Sequence, residues 1–286
     1  MQYLILTLNG ISHAGLLFIL GSGLTLAFGL MNIVNLAHGA FYLLGGYVGL
    51  SVLKATGSWI MGLGAGIVSI TMVGLLFERF LLERVRGNAL AETLLTISLS
   101  TIIVDLCLAT WGGLPQTLQV PAFLNPRITI LGFTYPGFRY FLILSSLVTA
   151  VFLYILLHRT RIGAAIRAGV DDRETVAALG ININRLSSYV FMLAAALAGM
   201  AGVLGGSFLS LGPGADTHNL IFSLVVIIIG GKGSIKGTAC GALLIGLLLS
   251  YGRAFIPEFS FFLVFAPMVL VLAFKPEGLF GRRAAR

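Results

Sequence analysis

The chain is a succession of long apolar runs broken by short charged or turn-rich segments, and this alternation decides what it can fold into. The runs give spans near residues 4–30, 36–53, 59–80, 93–111, 138–157 and 186–209. Beyond them the pattern turns irregular. Residues 219–230 are apolar but short, 231–237 form a glycine and lysine break, 238–252 resume, and a last span lies near 259–274. A helix needs about 20 residues to cross the hydrocarbon layer, so 286 residues hold about eight or nine crossings. Only 10% of the residues are charged, against about 25% in soluble domains, which leaves no room for a large catalytic domain outside the bilayer. The expected fold class is all-α, a polytopic helical membrane protein with broken helices and a single transmembrane domain over 1–286.

Arg79, Arg84 and Arg86, then Arg159, Arg161, Arg167, Arg173 and Arg185, and finally Lys275, Arg282, Arg283 and Arg286 account for twelve of the 18 basic residues. The positive-inside rule places these three clusters in the cytoplasm. The 112–137 connection, with Pro115, Pro121, Pro126 and Pro136, is then external, as is the N-terminus, and the C-terminus is cytoplasmic. No basic region precedes the first apolar run, so that run is expected to be a retained span. Topology accounts for the net charge of +8 without a nucleic-acid partner. Residues 219–252 should dip in and return, with the 231–237 break at the apex. Cys107 and Cys240 lie far apart in apolar stretches and read as buried free thiols, with neither a disulfide framework nor a metal site.

Glycines recur at four-residue spacing, as in Gly45 and Gly49, Gly62 and Gly66, Gly202 and Gly206, Gly233 and Gly237, and Gly237 and Gly241. Such faces let helix backbones approach closely, first of all within one bundle, or else at an oligomer interface or for helix flexibility. Two places read as interrupted helix. Between Met31 and Gly39, Asn32, Asn35 and His38 separate apolar runs. This is either non-helical backbone lining a pathway, as in the broken helices of transporters, or a tight cytoplasmic turn with His38 capping. The break containing Gly231 and Gly233 is an interfacial hairpin tip or a mid-membrane feature, and its two lysines favour the interface. Asp105 is the only acid well inside a span, which makes it a pathway candidate. Trp111 six residues on also allows a place near the outer interface, or a hydrogen bond to a neighbouring helix. Asp216, His218 and Asn219 follow the Gly212-Pro213-Gly214 turn, as a cap or as the outer mouth of a pathway.

The longest internal loop, 158–185, carries an ordered signal. Asp171 or Asp172 can cap a helix, Glu174 sits in its first turn, Val176, Ala177 and Leu179 give it an apolar side, and Gly180 can close it. A docking element for a soluble partner, a membrane-surface helix and a plain loop all fit this pattern. Residues 174–181, Glu-Thr-Val-Ala-Ala-Leu-Gly-Ile, resemble the loop by which ABC importer permeases engage their ATPase. Further motifs are Gly23-Leu-Thr-Leu-Ala-Phe-Gly29, Asn35-Leu-Ala-His38-Gly39, Thr96-Ile-Ser-Leu-Ser100, Arg167-Ala with the Asp171 helix, Gly230-Gly-Lys-Gly233-Ser-Ile-Lys-Gly237 and Lys275-Pro-Glu-Gly278-Leu-Phe280. Together and in this order they resemble the LivH-type permease of branched-chain amino acid ABC importers over essentially the whole chain. Lys232 and Lys236 depart from the apolar or small residues more usual in that glycine break.

The resemblance implies a transport subunit of a bacterial plasma (inner) membrane, with no enzymatic activity and no cofactor of its own, ATP being bound by partner chains. Consistently, Lys232 is followed by Gly233 where a phosphate-cradling Walker A loop needs Ser or Thr. It further implies two cytoplasmic ABC ATPase subunits pressing on Asp171, Asp172, Glu174, Ala177, Ala178 and Gly180. A second, LivM-type permease and an external solute-binding protein would complete the assembly in the lipid bilayer. The path would run past Asn32, Asn35, His38, Asp105, Gly231 and Gly233. Related permeases share these motifs with other cargoes, so urea, short amides or other amino acids stand as alternatives to a hydrophobic L-amino acid. An ion-coupled secondary transporter using Asp105 is the alternative from another class. An intramembrane enzyme lacks support, because no His/Glu metal spacing, Ser/His pair or twin carboxylates appear.

Overall fold

The structure, a computed structural model, describes residues 2–31, 34–130 and 133–281. Its helices are α1 (Gln2–Met31), α2 (His38–Thr56), α3 (Trp59–Phe77), α4 (Glu83–Val85), α5 (Ala89–Trp111), α6 (Gly137–Arg159), α7 (Arg161–Asp171), α8 (Arg173–Ala178), α9 (Ile183–Phe208), α10 (Ala215–Gly230), α11 (Ile235–Phe255) and α12 (Ser260–Phe274). A π-helical turn, Glu78–Leu82, joins α3 to α4 in one rod. Two short antiparallel strands, β1 (Arg127–Ile130) and β2 (Phe133–Pro136), lie in the connection between α5 and α6. Among the described residues seven helical stretches are long and apolar enough to cross a bilayer. The 19-residue α2 and the shorter α10 bring the set to the eight or nine expected.

Helix ends follow local chemistry. Asn88 starts α5 earlier than its apolar run implies, by accepting the Ala91 N–H at 3.1 Å. Ser58 and Asn182 do the same for α3 and α9, each satisfying one of the orphan donors of a helix N-terminus. The innermost helix is α1, buried almost without break from Ser12 to Ala27 and packed on α9 and α11, while α9 also packs on α2 and α3. The glycines make these contacts possible. A methyl group on Gly45 would lie 2.7 Å from the Gly199 Cα, one on Gly62 2.7 Å from the Gly49 carbonyl, and one on Gly66 2.8 Å from the Gly45 carbonyl. The four-residue spacings in α2, α3 and α9 therefore serve packing inside the bundle. Gly10 in α1 approaches Leu247 and Gly246 in α11 as closely, without a four-residue glycine repeat.

The outer surface is apolar, as a bilayer requires; α5 and α12 are the least covered of the long helices. Cys107 is buried as expected, but Cys240 is exposed, because it sits on the outward side of α11 while Gly241 faces Val226 of α10. The 112–137 connection folds back onto the end of the bundle. Gln116 and Leu211 exchange backbone hydrogen bonds at 2.7 Å, and the Leu118 N–H reaches the Gly206 carbonyl at 3.1 Å. Trp111 donates to Ser51 Oγ at 2.8 Å and stacks on Tyr47.

Candidate functional site

At the α1–α2 connection, Asn35 is buried and its side-chain oxygen accepts the Ala37 N–H at 3.1 Å, an Asx turn that launches α2 at His38. His38 is fully buried, with Nε2 3.0 Å from the Leu20 carbonyl of α1. A carbonyl only accepts, so Nε2 carries the proton and Nδ1 is the bare acceptor; it has no partner among the described residues. Leu20 precedes Met31, the end of α1, by about 16 Å at 1.5 Å per residue. The start of α2 therefore lies back alongside α1, well before its Met31 end, an arrangement that fits the interrupted-helix reading of this segment better than the tight-turn one.

The start of α10 lies at the same level. A methyl group on Gly39 would fall on the Asp216 carbonyl, and 2.9 Å from the Leu220 Cβ. Asp216 does not cap α10; its carboxylate accepts from Thr217 Oγ1 at 2.9 Å and is buried in the first turn. Neither α2 nor α10 has a side-chain cap, so two half-helix N-termini meet with their first N–H groups unclaimed by side chains. Around them runs a buried polar seam. Thr25 and Thr238 share a hydrogen bond at 2.7 Å, Asn219 donates to the Ala215 carbonyl at 2.8 Å, and Ser223 donates to the Asn219 carbonyl at 2.8 Å.

Gly231 and Gly233 belong to a different level. They form the hairpin tip between α10 and α11, both with φ in the left-handed range (99° and 71°). The tip lies at the Met31 end of α1, where a methyl on Gly29 would stand 2.8 Å from the Gly233 Cα. Lys232 is exposed there, with Nζ 4.9 Å from the Phe28 ring centre. Backbone N–H groups of Leu279 and Phe280 bond the Ile229 and Gly230 carbonyls at 2.8 and 3.0 Å, so the C-terminal segment satisfies the last carbonyls of α10.

The same end carries the 158–185 loop. Thr160 caps α7, and of the two candidate acids it is Asp172 that caps α8, its Oδ1 accepting the Thr175 N–H at 3.0 Å. Gly180, at φ 83°, closes α8, with N–H groups of Gly180 and Ile181 returning to Ala177 and Val176 at 3.0 and 3.3 Å. The apolar side is divided: Val176 is buried within the chain, whereas Ala177, Ala178 and Leu179 are exposed, Leu179 at 75%. Asp171 ends α7, and Glu174 falls in α8, its side chain outside the described set, as is the whole of Asn32. Behind α8, α7 touches α1 and the α10–α11 tip. A methyl on Gly169 would lie 2.7 Å from Leu30 Cδ1, and one on Gly233 3.0 Å from Val170 Cγ1. A cavity of about 470 Å³ opens beside this contact, lined in part by Gly29, Met31, Glu92, Val170 and Arg173. Burial lowers the Arg173 guanidinium from its usual value and nearby Arg86 adds to this, while Glu92 opposes it.

Two features escaped the sequence reading. Glu78, fully buried in the π-helical turn, pairs with Arg86 and accepts from Ser188 Oγ of α9, and Arg86 also donates to Asn184 Oδ1 at 2.7 Å. Glu78 is thus an enclosed acid, as are Glu92 and Asp216, whereas Asp105, expected as the only acid well inside a span, sits on the exposed face of α5 away from the seam. At the opposite end of α1, a recess of about 350 Å³ gathers Asn9, His13, Arg139, Phe208, Ser250 and Arg253. Arg139 lies over the Tyr135 and Phe208 rings at 5.4 and 5.5 Å, and His13 is buried with Nε2 unpartnered among the described residues.

The chain is 27% identical to the high-affinity branched-chain amino acid transport system permease protein BraD of Pseudomonas aeruginosa, over 98% of this chain and 96% of that one. It is 26% identical to the permease protein LivH of the same kind of system in Escherichia coli, over 96% and 94%. To the high-affinity branched-chain amino acid transport system permease protein LivM of Escherichia coli it is 28% identical, over 91% of this chain and 67% of that one. The solved structure of PsaBC from Streptococcus pneumoniae in complex with Fab shares the fold, with a TM-score of 0.53 at 13% identity, covering 95% of this chain and 92% of that one. The family model described as branched-chain amino acid transport system, permease component, matches residues 6–272, and this multi-pass membrane chain belongs to that family.

Proposed function

We propose that the chain carries branched-chain, hydrophobic L-amino acids inward across a bacterial inner membrane, driven by ATP bound and hydrolysed on two separate cytoplasmic subunits. The observation that carries this reading is α8. It is a capped helix with its apolar Leu179 side uncovered, joined through α7 to the ends of α1 and of the α10–α11 hairpin. Pressure on α8 passes to Leu30 and Gly233, and from there along α1 and α10 to the level of His38. Rigid-body tilting of these helices about the broken segment opens one side and closes the other. The uncapped start of α2 suits the carboxylate of an amino acid, whereas the first turn of α10 already holds that of Asp216. The recess at Arg139 and Arg253 suits its arrival from an external solute-binding protein.

This reading places α7, α8 and the Gly231 tip in the cytoplasm and the recess outside. Two tests follow. Purification of the tagged chain in mild detergent should recover two ATPase subunits and a second permease; a lone chain that still transports would sink the reading. Arg173→Cys, in a chain freed of Cys107 and Cys240, should be labelled by an impermeant maleimide only in inside-out vesicles. Labelling from outside would invert the topology.

A further inference from the structure

Asp105 lies about 9 Å before the Trp111 end of α5, at 1.5 Å per residue, on the side of the helix turned away from the bundle. Its neighbours on that side, Ile102 and Leu106, are more than half exposed (56% and 59%). Thr101 and Ser98, one and two turns back, are exposed as well, their hydroxyls returned to the Ile97 and Leu94 carbonyls of their own helix. Asp105 makes no hydrogen bond or ion pair with a described residue. A carboxylate facing lipid more than a turn inside the end of a spanning helix would be costly. The α5 surface is therefore incomplete in the isolated chain.

We infer that the Asp105 face of α5 is the seam on which a second permease subunit of related sequence docks, presenting a hydrogen-bond-donating side chain to the carboxylate. This rests on the reading of the chain as one permease of a transporter complex. Charge selects the occupant. In a symmetric dimer both copies span the membrane the same way, so residues at equal depth meet near the twofold axis, and Asp105 would meet its own copy. Two carboxylates there repel unless one is protonated. A related but different chain can place a donor at that depth, and the hydroxyls of Ser98 and Thr101 extend the polar stripe along the contact.

The test is site-specific photo-crosslinking in native membranes with the ATPases and the second permease present, the probe replacing Ile102 or Leu106. Probes at Met72 of α3 and Val148 of α6, also exposed, serve as comparison. The α5 probes should capture the second permease and the comparison probes should not. Capture from α3 or α6 with none from α5, or capture from α5 of only a second copy of this chain, would overturn the inference. Recovery of no second permease in any preparation would instead fail the underlying reading. In parallel, Asp105→Leu should recover about tenfold less second permease than the unaltered chain, as for the loss of a strong interhelical hydrogen bond in a bilayer, and Asp105→Asn close to the full amount. Equal recovery with Asp105→Leu would remove the carboxylate from the contact.

Discussion

Gly180→Val isolates the coupling helix from the rest of the molecule. Gly180 holds φ at 83°, and a side chain there meets nothing within 4 Å, so its cost is conformational and local. Holding an L-residue in the left-handed region costs about 1–2 kcal/mol, and β-branching raises it. What holds α8 is only a few kcal/mol. The Asp172 cap contributes about 1 kcal/mol and burial of Val176 about 1.5–3 kcal/mol. The substitution therefore takes a large share of the local stability and cuts the population of the closed helix by about 5–30-fold. The bundle, held by the α1, α2, α3 and α9 contacts, is untouched. The assay pairs membrane abundance with ATP-dependent uptake of labelled leucine in vesicles. Abundance should match the unaltered chain while uptake falls several-fold, with Gly180→Asn intermediate because Asn tolerates the conformation. Normal uptake by the valine variant would refute the argument that an ordered α8 transmits the drive.

Asn35→Ala removes the Asx turn and His38→Ala the link to the Leu20 carbonyl. Each should lower uptake with little loss of protein from the membrane, and unchanged kinetics in both would make the break purely structural. Arg86→Ala leaves Glu78 buried without its counter-charge and should cost about 3–5 kcal/mol, read as a fall in the thermal midpoint of the purified chain. Glu78→Gln with Arg86→Ala should recover part of that loss, and a double variant no better than Arg86→Ala would contradict a buried-charge penalty.

The spans were legible because in lipid the helices must be long and apolar, and their charged breaks follow from the same physics. The α8 helix was legible residue by residue, since the Asp172 cap and the Gly180 closure are local chemistry. Depth was not. Asn35 and His38 mark a break, but only the contact to Leu20 shows that α2 begins well inside the bundle. Contacts between distant segments were hidden for the same reason: the approach of Gly10 to Gly246 follows from how α1 meets α11, which no spacing within one helix records. Glu78 lies beside Arg79 at the end of an apolar run and reads as a boundary, yet the π-helical turn directs it inward to Arg86 and Ser188. Asp105 reads as a pathway, interface or interhelical residue with equal ease, because spacing along α5 does not record that its side of the helix is turned away from the bundle.

The central claim is transport powered from elsewhere through α8. The most direct measurement is uptake of radiolabelled leucine into proteoliposomes containing this chain with its copurified permease and ATPases, with ATP supplied on the α8 side and the solute-binding protein on the other. The account predicts leucine accumulation that requires ATP and vanishes when the ATPases are omitted. Accumulation driven by an ion gradient in the absence of ATP and ATPases would contradict it.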